Sequence, residues 1–464
     1  MTSPRSSGSS RGSRWSFALA VGAVFGVAAS RFAVNDSDLF WHLASGRWMV
    51  EHGSVLRGDV FSSTLGGAAV PVHQWLGELA LWMAFASGSW WTVLALRVLA
   101  VTAIATLVMG ATLARASRPA VAALAAFPAL ALSRFVWGDR PELLGLLAFA
   151  AFVPLAAAAR GADRWAQLAL VPLFALWANL HGGFVVGVAL LIALATEALV
   201  FARAGAPRFA AFGALAIAAT LVNPLGPGAY LSPGWHFANP PRFIEEWGVP
   251  DVTTFPGLLY ASTLLGALGL ALLAPSGRAT DAALLAPLAF LSLSALRQMP
   301  LFALAAAPFL SDRLSTLLPR PSPAHAPRAL PLAGVAFAAV LLAVALVTAP
   351  REPDLSGYPL GALPVLRTEP GTLFNEYDWG GFLIWYAPEH PVFVDGRLVP
   401  YIDAGVLDEY REAIGVHPRW RAVLDHRGIS LVLVRPSSAL AVRLREAGWS
   451  TLHADETSIL LRRP

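Results

Sequence analysis

The chain contains no cysteine and no lysine, and only 13% of its 464 residues are charged. Without cysteine it cannot form disulfides, use a thiol nucleophile or hold zinc through thiolates. A soluble globular domain carries roughly 25% charged residues, so this composition is not that of an ordinary soluble protein. A glycine-rich phosphate loop and a G-x-S-x-G motif are also missing, so nucleotide hydrolysis and serine hydrolysis have no support.

The chain is instead rich in apolar residues. Of its residues, 56% are hydrophobic, and its mean hydropathy is +0.60. The apolar runs start with 15–34 and end with 329–349, and a spanning helix needs about 20 residues. The sequence therefore predicts an α-helical polytopic membrane protein with about 11 transmembrane helices. Residues 1–14 are rich in Ser, Gly and Arg and are predicted to be a disordered cytoplasmic N-terminus.

The arginines predict the orientation. Short loops on the cytoplasmic side of a membrane carry an excess of positive charge, and alternate loops of this chain hold most of its arginines. This pattern explains the basic pI of about 9.8 without a nucleic-acid partner. It predicts a transmembrane domain over 15–349 with a large first external loop at 35–90, and an extracytoplasmic domain over 350–464. The arginine-only, Ala-rich composition favours a bacterial inner membrane.

The C-terminal segment alternates short buried-type strands with helices, which predicts a small α/β domain. The segment 392–397 is predicted to be a short apolar strand that ends in a polar turn, and 429–434 and 458–461 are further predicted strands. The predicted helices are 406–414, 420–426 and 439–447.

The acidic pair Asp36 and Asp38 follows the first apolar run directly. Like charges this close raise one another's pKa, which is costly unless the pair has a use. On an extended segment, residues i and i+2 point the same way, so both carboxylates can serve as a general base or hold a metal ion. Alternatively, the pair caps the helix that starts near Leu39. Residues 39–51 have an imperfect helical period, which predicts a helix lying on the membrane surface.

Further candidates are histidines and arginines at predicted outer ends of spans. His181 precedes two glycines and can bind phosphate or assist proton transfer; alternatively, it is a satisfied histidine at a helix break. His42 can contribute to a metal site with the aspartates. Arg140 and Arg297 suit a clamp on a lipid-linked phosphate, or they snorkel to lipid headgroups. Glu246 precedes a tryptophan and can contact a sugar, although a plain interfacial aromatic segment is an alternative.

The stretch Asp36–Gly46 (DSDLFWHLASG) resembles the opening of a bacterial group of GT-C-like membrane proteins of unassigned substrate. Further matches to that group are Trp177–Gly183, Asn223–Gly226 and Val394–Arg397, the last of which is alternatively an ordinary turn. Each motif is short, so the resemblance depends on their order. The wider GT-C fold class includes protein O-mannosyltransferases, aminoarabinose lipid A transferases and oligosaccharyltransferase catalytic subunits.

The resemblance implies an inverting membrane glycosyltransferase that uses a polyprenyl-phosphate sugar donor and an acceptor hydroxyl on a glycan, lipid or protein. It implies that an acidic residue of the first external loop is a base or a ligand of a divalent cation such as Mg or Mn. Asp36 and Asp38 are the candidates, without a choice between them. His42, Arg140, His181, Arg297 and Glu246 are the candidate substrate-binding residues. The alternatives are a flippase for a lipid-linked saccharide and a non-catalytic envelope assembly protein.

Overall fold

The computed structural model describes residues 6–70, 72–231, 233–234, 245–273, 279–318 and 330–464. The chain divides into two compact units. Unit 1 comprises Met1–Phe32 and Trp91–Pro350, and unit 2 comprises Ala33–Trp90 and Arg351–Pro464. The segment predicted as external loop 35–90 therefore belongs to the same unit as the C-terminal segment and not to the unit of membrane helices.

Most of the first 350 residues are helical, and short 3-10 turns at Glu245–Trp247 and Leu296–Gln298 join some of the helices. The helices in chain order are α1 (Ser6–Ser30), α2 (Ser37–His52), α3 (Trp75–Leu113), α4 (Pro119–Ser133), α5 (Pro141–Arg160), α6 (Arg164–Leu180), α7 (Phe184–Val200), α8 (Ala206–Ala219), α9 (Phe255–Leu273), α10 (Ala279–Ser294), α11 (Met299–Leu317) and α12 (Leu330–Thr348).

Five helices among the described residues are long and apolar enough to cross a membrane: Gly12–Ser30, Trp75–Leu113, Pro119–Val136, Pro141–Arg160 and Phe255–Leu273. Shorter apolar helices accompany them. Large apolar side chains such as Leu272 and Phe290 are more than 70% exposed, which suits contact with lipid. The protein is thus a multi-pass integral membrane protein, and the predicted count of about 11 spans is not confirmed.

Helix α1 begins at Ser6, within the segment 1–14, and the predicted disorder and cytoplasmic location of that segment stay predictions. Residues 1–5 lie outside the described residues.

Close helix packing in unit 1 depends on small residues. Helix α1 packs against α12, and the backbone of Gly22 on α1 touches Thr106 of α3. The ring of Trp177 packs directly on Gly187 and lies 5.7 Å from the ring of Phe174. Such contacts are typical of membrane helices, where close backbone approach replaces the hydrophobic driving force.

Helix α3 is interrupted where the two units meet in the sequence. Gly88 and Ser89 leave helical geometry, and Ser89 has a positive φ of 62°. A left-handed conformation is costly for a residue with a side chain, so this interruption is a defined break in the helix. The turns before it belong to unit 2 and those after Trp90 belong to unit 1.

Unit 2 contains a small sheet with flanking short helices. The strands are β1 (Thr372–Asn375), β2 (Ile429–Val434), β3 (Ser450–Ala454) and β4 (Ile459–Arg462), in the order β1-β2-β4-β3. Strands β1 and β2 are parallel, and the other two pairs are antiparallel. The helices are α13 (Leu363–Leu366), α14 (Gly380–Tyr386), α15 (Val399–Asp403), α16 (Val406–Ile414), α17 (Trp420–His426) and α18 (Ala439–Glu446).

Helices α16, α17 and α18 and strands β2 and β4 confirm the predicted elements to within one or two residues. The apolar strand predicted at the start of the segment 392–397 is wrong. The backbone of this segment forms hydrogen bonds with the side chain of Asn375 instead of with a neighbouring strand. The side chain accepts a hydrogen bond from Phe393 N at 2.8 Å and donates one to Val394 O at 2.9 Å. Val392 forms only an isolated bridge with Ser62.

The helix predicted over 39–51 is confirmed as α2, but its predicted place on a membrane surface is not. Its residues from Leu39 to Gly46 are all buried, on every side of the helix. It packs against α14, and the ring centroids of Phe40 and Phe382 are 5.8 Å apart. Helix α2 is therefore part of the core of unit 2.

Candidate active site

Asp36 is the N-cap of helix α2. It has extended backbone angles, and its Oδ1 accepts a hydrogen bond from the Asp38 backbone nitrogen at 3.0 Å. Asp is among the preferred N-cap residues because its carboxylate satisfies a backbone N–H that has no partner within the helix. The capping alternative thus describes the geometry of Asp36, and the pair does not lie on the extended segment that was expected.

Asp38 lies in the first turn of α2 and is partly exposed. Its Oδ1 accepts a hydrogen bond from Trp41 Nε1 at 3.1 Å. The same oxygen lies against the backbone of Gly396, where a Cβ atom would overlap it. The first acidic motif and the Val394–Arg397 motif, far apart in the sequence, therefore meet at Asp38.

A buried ionic network surrounds the residues next to Gly396. Arg397 donates to Asp395 through Nε at 2.8 Å and Nη2 at 2.6 Å, and its Nη1 lies 2.5 Å from Asp59 Oδ1. Tyr401 donates to Asp395 Oδ2 at 2.6 Å. Only 5% of the Arg397 side chain is exposed, so the pairing compensates charges that would otherwise be costly to bury.

The network holds its members in defined protonation states. Burial raises the pKa of Tyr401 well above its ordinary value, and the Asp395 carboxylate raises it further, so the hydroxyl remains a donor. Burial alone would lower the pKa of Arg397, but Asp395, and after it Tyr401 and Asp59, raise it well above its ordinary value. The Asp395-Gly396-Arg397 turn is therefore a rigid, charged element of the interior.

His42 is buried and paired with a carboxylate from α3. Its Nδ1 lies 3.1 Å from Glu78 Oε1, and both side chains are at most 3% exposed. Glu78 in turn packs against Gly46 of α2. The pair of His42 and Glu78 thus connects α2 to the first turns of α3 within unit 2. The substrate-binding role of His42 remains a prediction.

Unit 1 contains a second charged cluster. Arg297 donates to Glu142 Oε1 at 2.6 Å and to Glu246 Oε1 at 3.1 Å, and its guanidinium lies 4.7 Å from the ring of Trp247. Arg140 lies 3.8 Å from Glu246 Oε2. We call these four ionic residues the α5 cluster, since Arg140 and Glu142 lie at the start of α5. All four are partly exposed.

His181 lies beside the α5 cluster. It packs against Gly145, one turn after Glu142 on α5, and its Nδ1 accepts a hydrogen bond from Gly183 N at 3.0 Å. Asn179 donates to Val222 O at 2.8 Å, and Asn223 donates to Ala178 O at 2.9 Å. The motifs Trp177–Gly183 and Asn223–Gly226 therefore also meet, through backbone hydrogen bonds that join the ends of α6 and α8.

The seven candidate residues thus fall into two sets. One set, in unit 2, is Asp36, Asp38 and His42; the other, in unit 1, is Arg140, His181, Arg297 and Glu246. Sequence reasoning did not select several of their partners, which are Asp59, Glu78, Glu142 and Tyr401. Of these partners, only Glu142 could have been found from the sequence, because it follows the predicted Arg140 by two residues at a span end.

The predicted metal site needs several His, Asp or Glu side chains close together. Among the described residues, no group of three or more His, Asp and Glu side chains is placed to hold a metal ion. Asp36 is engaged in capping, and Asp38 contacts Trp41. The described residues therefore hold no cation site built from three such side chains, and the role of Asp36 and Asp38 as metal ligands stays a prediction.

The fold is similar to that of an archaeal glycosyltransferase. The oligosaccharyltransferase AglB from Archaeoglobus fulgidus, solved with an inhibitory peptide and a dolichol-phosphate, matches with a TM-score of 0.53 and 10% identity, over 90% of this chain and 69% of that one. The A. fulgidus oligosaccharyltransferase tethered to an acceptor peptide containing the NVT sequon matches with a TM-score of 0.56 and 13% identity, over 90% and 68%.

A third structure, of the A. fulgidus oligosaccharyltransferase in complex with Zn and sulfate, matches with the same TM-score of 0.56, at 13% identity over 90% of this chain and 68% of that one. No protein-family model matches the chain, and no curated protein does either. The predicted resemblance to the GT-C fold is confirmed. At these identities the similarity establishes the fold and leaves the activity to be argued from the residues.

Proposed function

We propose that the protein is a membrane glycosyltransferase that transfers a sugar from a polyprenyl-phosphate-linked donor to an acceptor hydroxyl on the external membrane face. The observation that carries the proposal is the GT-C fold over 90% of the chain. The meeting of the first acidic motif with the Val394–Arg397 motif supports it, since both belong to the sequence resemblance. A lipid-phosphate ligand is supported in kind by the dolichol-phosphate bound to the archaeal neighbour.

In the proposed reaction, Asp38 is the general base. Its carboxylate takes the proton of the acceptor hydroxyl as the acceptor oxygen attacks the anomeric carbon. The bond from that carbon to the phosphate oxygen breaks, and polyprenyl phosphate leaves with the bonding electrons. Direct displacement inverts the anomeric centre, and a positioned base contributes about 10²–10⁴-fold to such a step. Asp36 caps the helix that carries Asp38.

Considered by itself within unit 1, the α5 cluster is a proposed binding site for the phosphate of a lipid-linked ligand. Arg140 and Arg297 offer guanidinium groups, which bind phosphate oxygens bidentately. In the structure carboxylates occupy them, so phosphate binding requires exchange of Glu142 or Glu246 for the ligand. His181, beside the cluster, can donate a further hydrogen bond to an anionic group.

The acceptor class has two candidates. The sequence resemblance favours a hydroxyl on a glycan, lipid or protein. The archaeal neighbour was solved with an acceptor peptide that contains an NVT sequon, which favours a peptide as the second candidate. No step of the proposed reaction is assigned to a metal ion.

The test uses the full-length protein in lipid nanodiscs, a radiolabelled polyprenyl-phosphate sugar and a panel of hydroxyl and sequon-peptide acceptors. The variants are Asp38→Asn, Asp36→Asn and the control Asp408→Asn, which changes an exposed carboxylate of unit 2. Asparagine is as good an N-cap as aspartate and keeps an acceptor oxygen, so both variants preserve the helix while removing a carboxylate.

We expect transfer to fall by about 10²–10⁴-fold in Asp38→Asn and to stay near wild type in Asp408→Asn. Asp36→Asn should retain most activity if Asp36 is only a cap. Full transfer by Asp38→Asn would remove the catalytic role. Movement of the labelled lipid across the membrane, without formation of a new glycosidic bond by the wild-type protein, would instead favour the flippase alternative.

A further inference from the structure

Three glycines of unit 2 lie at one junction between α2 and the turn 394–397. A Cβ on Gly396 would overlap Asp38 Oδ1 and lie 3.0 Å from Asp38 Cγ. A Cβ on Gly380 would overlap Val394 O, and one on Gly381 would overlap Ser37 O. None of the three has a positive φ, so glycine is required here for close approach and not for its backbone freedom.

The junction fixes the turn on both sides. The first residues of α14 pack between Ser37, which begins α2, and Val394, which begins the segment 394–397. On the far side, Arg397 is anchored by Asp395 and Asp59, whose exposure is 0%. The backbone that touches Asp38 is therefore held by buried ionic contacts that the catalytic step itself does not use.

Asp38 also contacts a side chain of its own helix. Its Oδ1 contacts Trp41 Nε1 at 3.1 Å, and Trp41 Nε1 itself lies 3.2 Å from the position of a Cβ on Gly396. The hydrogen-bonded pair of Asp38 and Trp41 therefore lies directly against the Gly396 backbone. A shift of this backbone must move the carboxylate.

We propose that Gly396, backed by the Arg397 network, positions the Asp38 carboxylate for its reaction. Gly396 is a positioning residue that acts through Asp38 by steric contact, and Tyr401 and Arg397 act through Gly396. The catalytic consequence rests on the proposed function, whereas the contact itself does not. A displacement of about 1 Å in a reacting group can lower the rate by about 10²-fold.

The first measurement needs no activity. Carboxylates of the full-length protein are labelled with a carbodiimide and an amine, and the rate at Asp38 is followed by mass spectrometry. Asp36 and Asp38 lie in one tryptic peptide, Phe32–Arg47, and fragmentation distinguishes them. The test variant is Gly396→Ala, and the matched control is Gly357→Ala, an exposed glycine of unit 2 with open space around its Cβ position.

We expect Gly396→Ala to change the labelling rate of Asp38 while that of Asp36 stays the same, and Gly357→Ala to change neither. An unchanged rate at Asp38 in Gly396→Ala overturns the positioning role, whatever the activity of the protein. A changed rate in a protein without transfer activity leaves the positioning contact in place and contradicts the proposed function alone.

The second measurement is kinetic. We expect kcat to fall by about 10²-fold in Gly396→Ala with little change in KM for either substrate. The double variant Gly396→Ala with Asp38→Asn should be no slower than Asp38→Asn, since the glycine acts only through the carboxylate. Losses that multiply in the double variant would show an independent effect and overturn the proposal.

Tyr401→Phe is the milder variant if Gly396→Ala does not accumulate. It removes one hydrogen bond to Asp395 and keeps the ring packing. We expect a loss of about fivefold in kcat, again without a change in KM, and a changed labelling rate at Asp38. Wild-type values for both quantities would contradict the action of the network on Asp38.

Discussion

Each unit of the protein contains an arginine held by two carboxylates, yet the two arginines differ in their access to solvent. In unit 2, Arg397 is 5% exposed and its partners Asp59 and Asp395 are fully buried. In unit 1, Arg297 is 19% exposed, and its partners Glu142 and Glu246 are 18% and 37% exposed.

This difference separates two uses of the same chemistry. A fully buried ion pair cannot change partners without leaving a buried charge uncompensated. The Arg397 network is therefore suited to stabilising the structure of unit 2. A partly exposed pair can exchange a carboxylate for an incoming anion at small cost, so the α5 cluster suits a ligand. Substitutions that remove one partner should therefore affect stability in unit 2 and ligand affinity in unit 1.

The largest effect is expected for Arg397→Met. It removes the cation and leaves Asp59 and Asp395 buried, which should destabilise the protein by about 3–5 kcal/mol. Thermal unfolding of the purified protein in detergent measures this loss. Arg443→Met is the control, because the Arg443–Glu446 pair is about 60% exposed and should contribute little. Equal unfolding temperatures for the two variants would contradict the stabilising role of Arg397.

Arg297→Gln should instead weaken donor binding. Loss of a charge-assisted contact of about 1.5–3 kcal/mol corresponds to a rise of about 10–100-fold in the Kd for polyprenyl phosphate, with thermal stability close to wild type. Binding titration in nanodiscs measures the Kd. The control Arg203→Gln changes an arginine of unit 1 at a predicted cytoplasmic loop and should leave the Kd unchanged. An unchanged Kd in Arg297→Gln would remove the phosphate role.

Asp36 provides a smaller effect with a clear sign. Asp36→Ala removes the N-cap of α2 and should lower the free energy of unfolding by about 1 kcal/mol, whereas Asp36→Asn should leave it almost unchanged. Chemical denaturation in mixed micelles compares the two variants. Equal destabilisation by alanine and asparagine would mean that the charge, and not the hydrogen bond, is what matters.

Glu246→Gln should have the smallest effect and the opposite direction. It releases Arg297 and Arg140 from a partly exposed carboxylate, a contact worth about 0.2–1 kcal/mol. The Kd for polyprenyl phosphate should therefore fall by up to about fivefold. A higher Kd in this variant would show that Glu246 binds the donor directly.

The sequence predicted those elements whose pattern depends on local burial. Helix α16 and strand β2 have the expected boundaries, because amphipathic period and a continuous apolar run are local properties. Strand β3 was missed since its residues are mostly exposed, and the segment 392–394 was mistaken for a strand since Asn375 replaces a strand partner. Hydrogen bonds from a distant side chain leave no periodic signal.

The site shows the same limit. The acidic pair, the α5 arginines and the Val394–Arg397 motif were recognised as separate features, and their chemistry was read from residue type. The sequence could not predict which charged residues form ion pairs. Asp59 pairs with Arg397, and Glu78 pairs with His42, and the partners in each pair are distant in the sequence. The contact of Asp38 with Gly396 has no signature either, because a glycine that is needed for close approach looks like any turn glycine.

Unit 2 is assembled from two segments that Trp91–Pro350 separates in the sequence, and this has a consequence for biosynthesis. Asp38 leaves the ribosome before Trp91–Pro350, whereas Gly396 follows that whole segment. At about 5–20 residues per second, Gly396 is synthesised roughly 20–70 s after Asp38. The Asp38 carboxylate thus receives its supporting turn only after the membrane helices have been made, and a chain that stalls among those helices lacks the contact between Asp38 and Gly396.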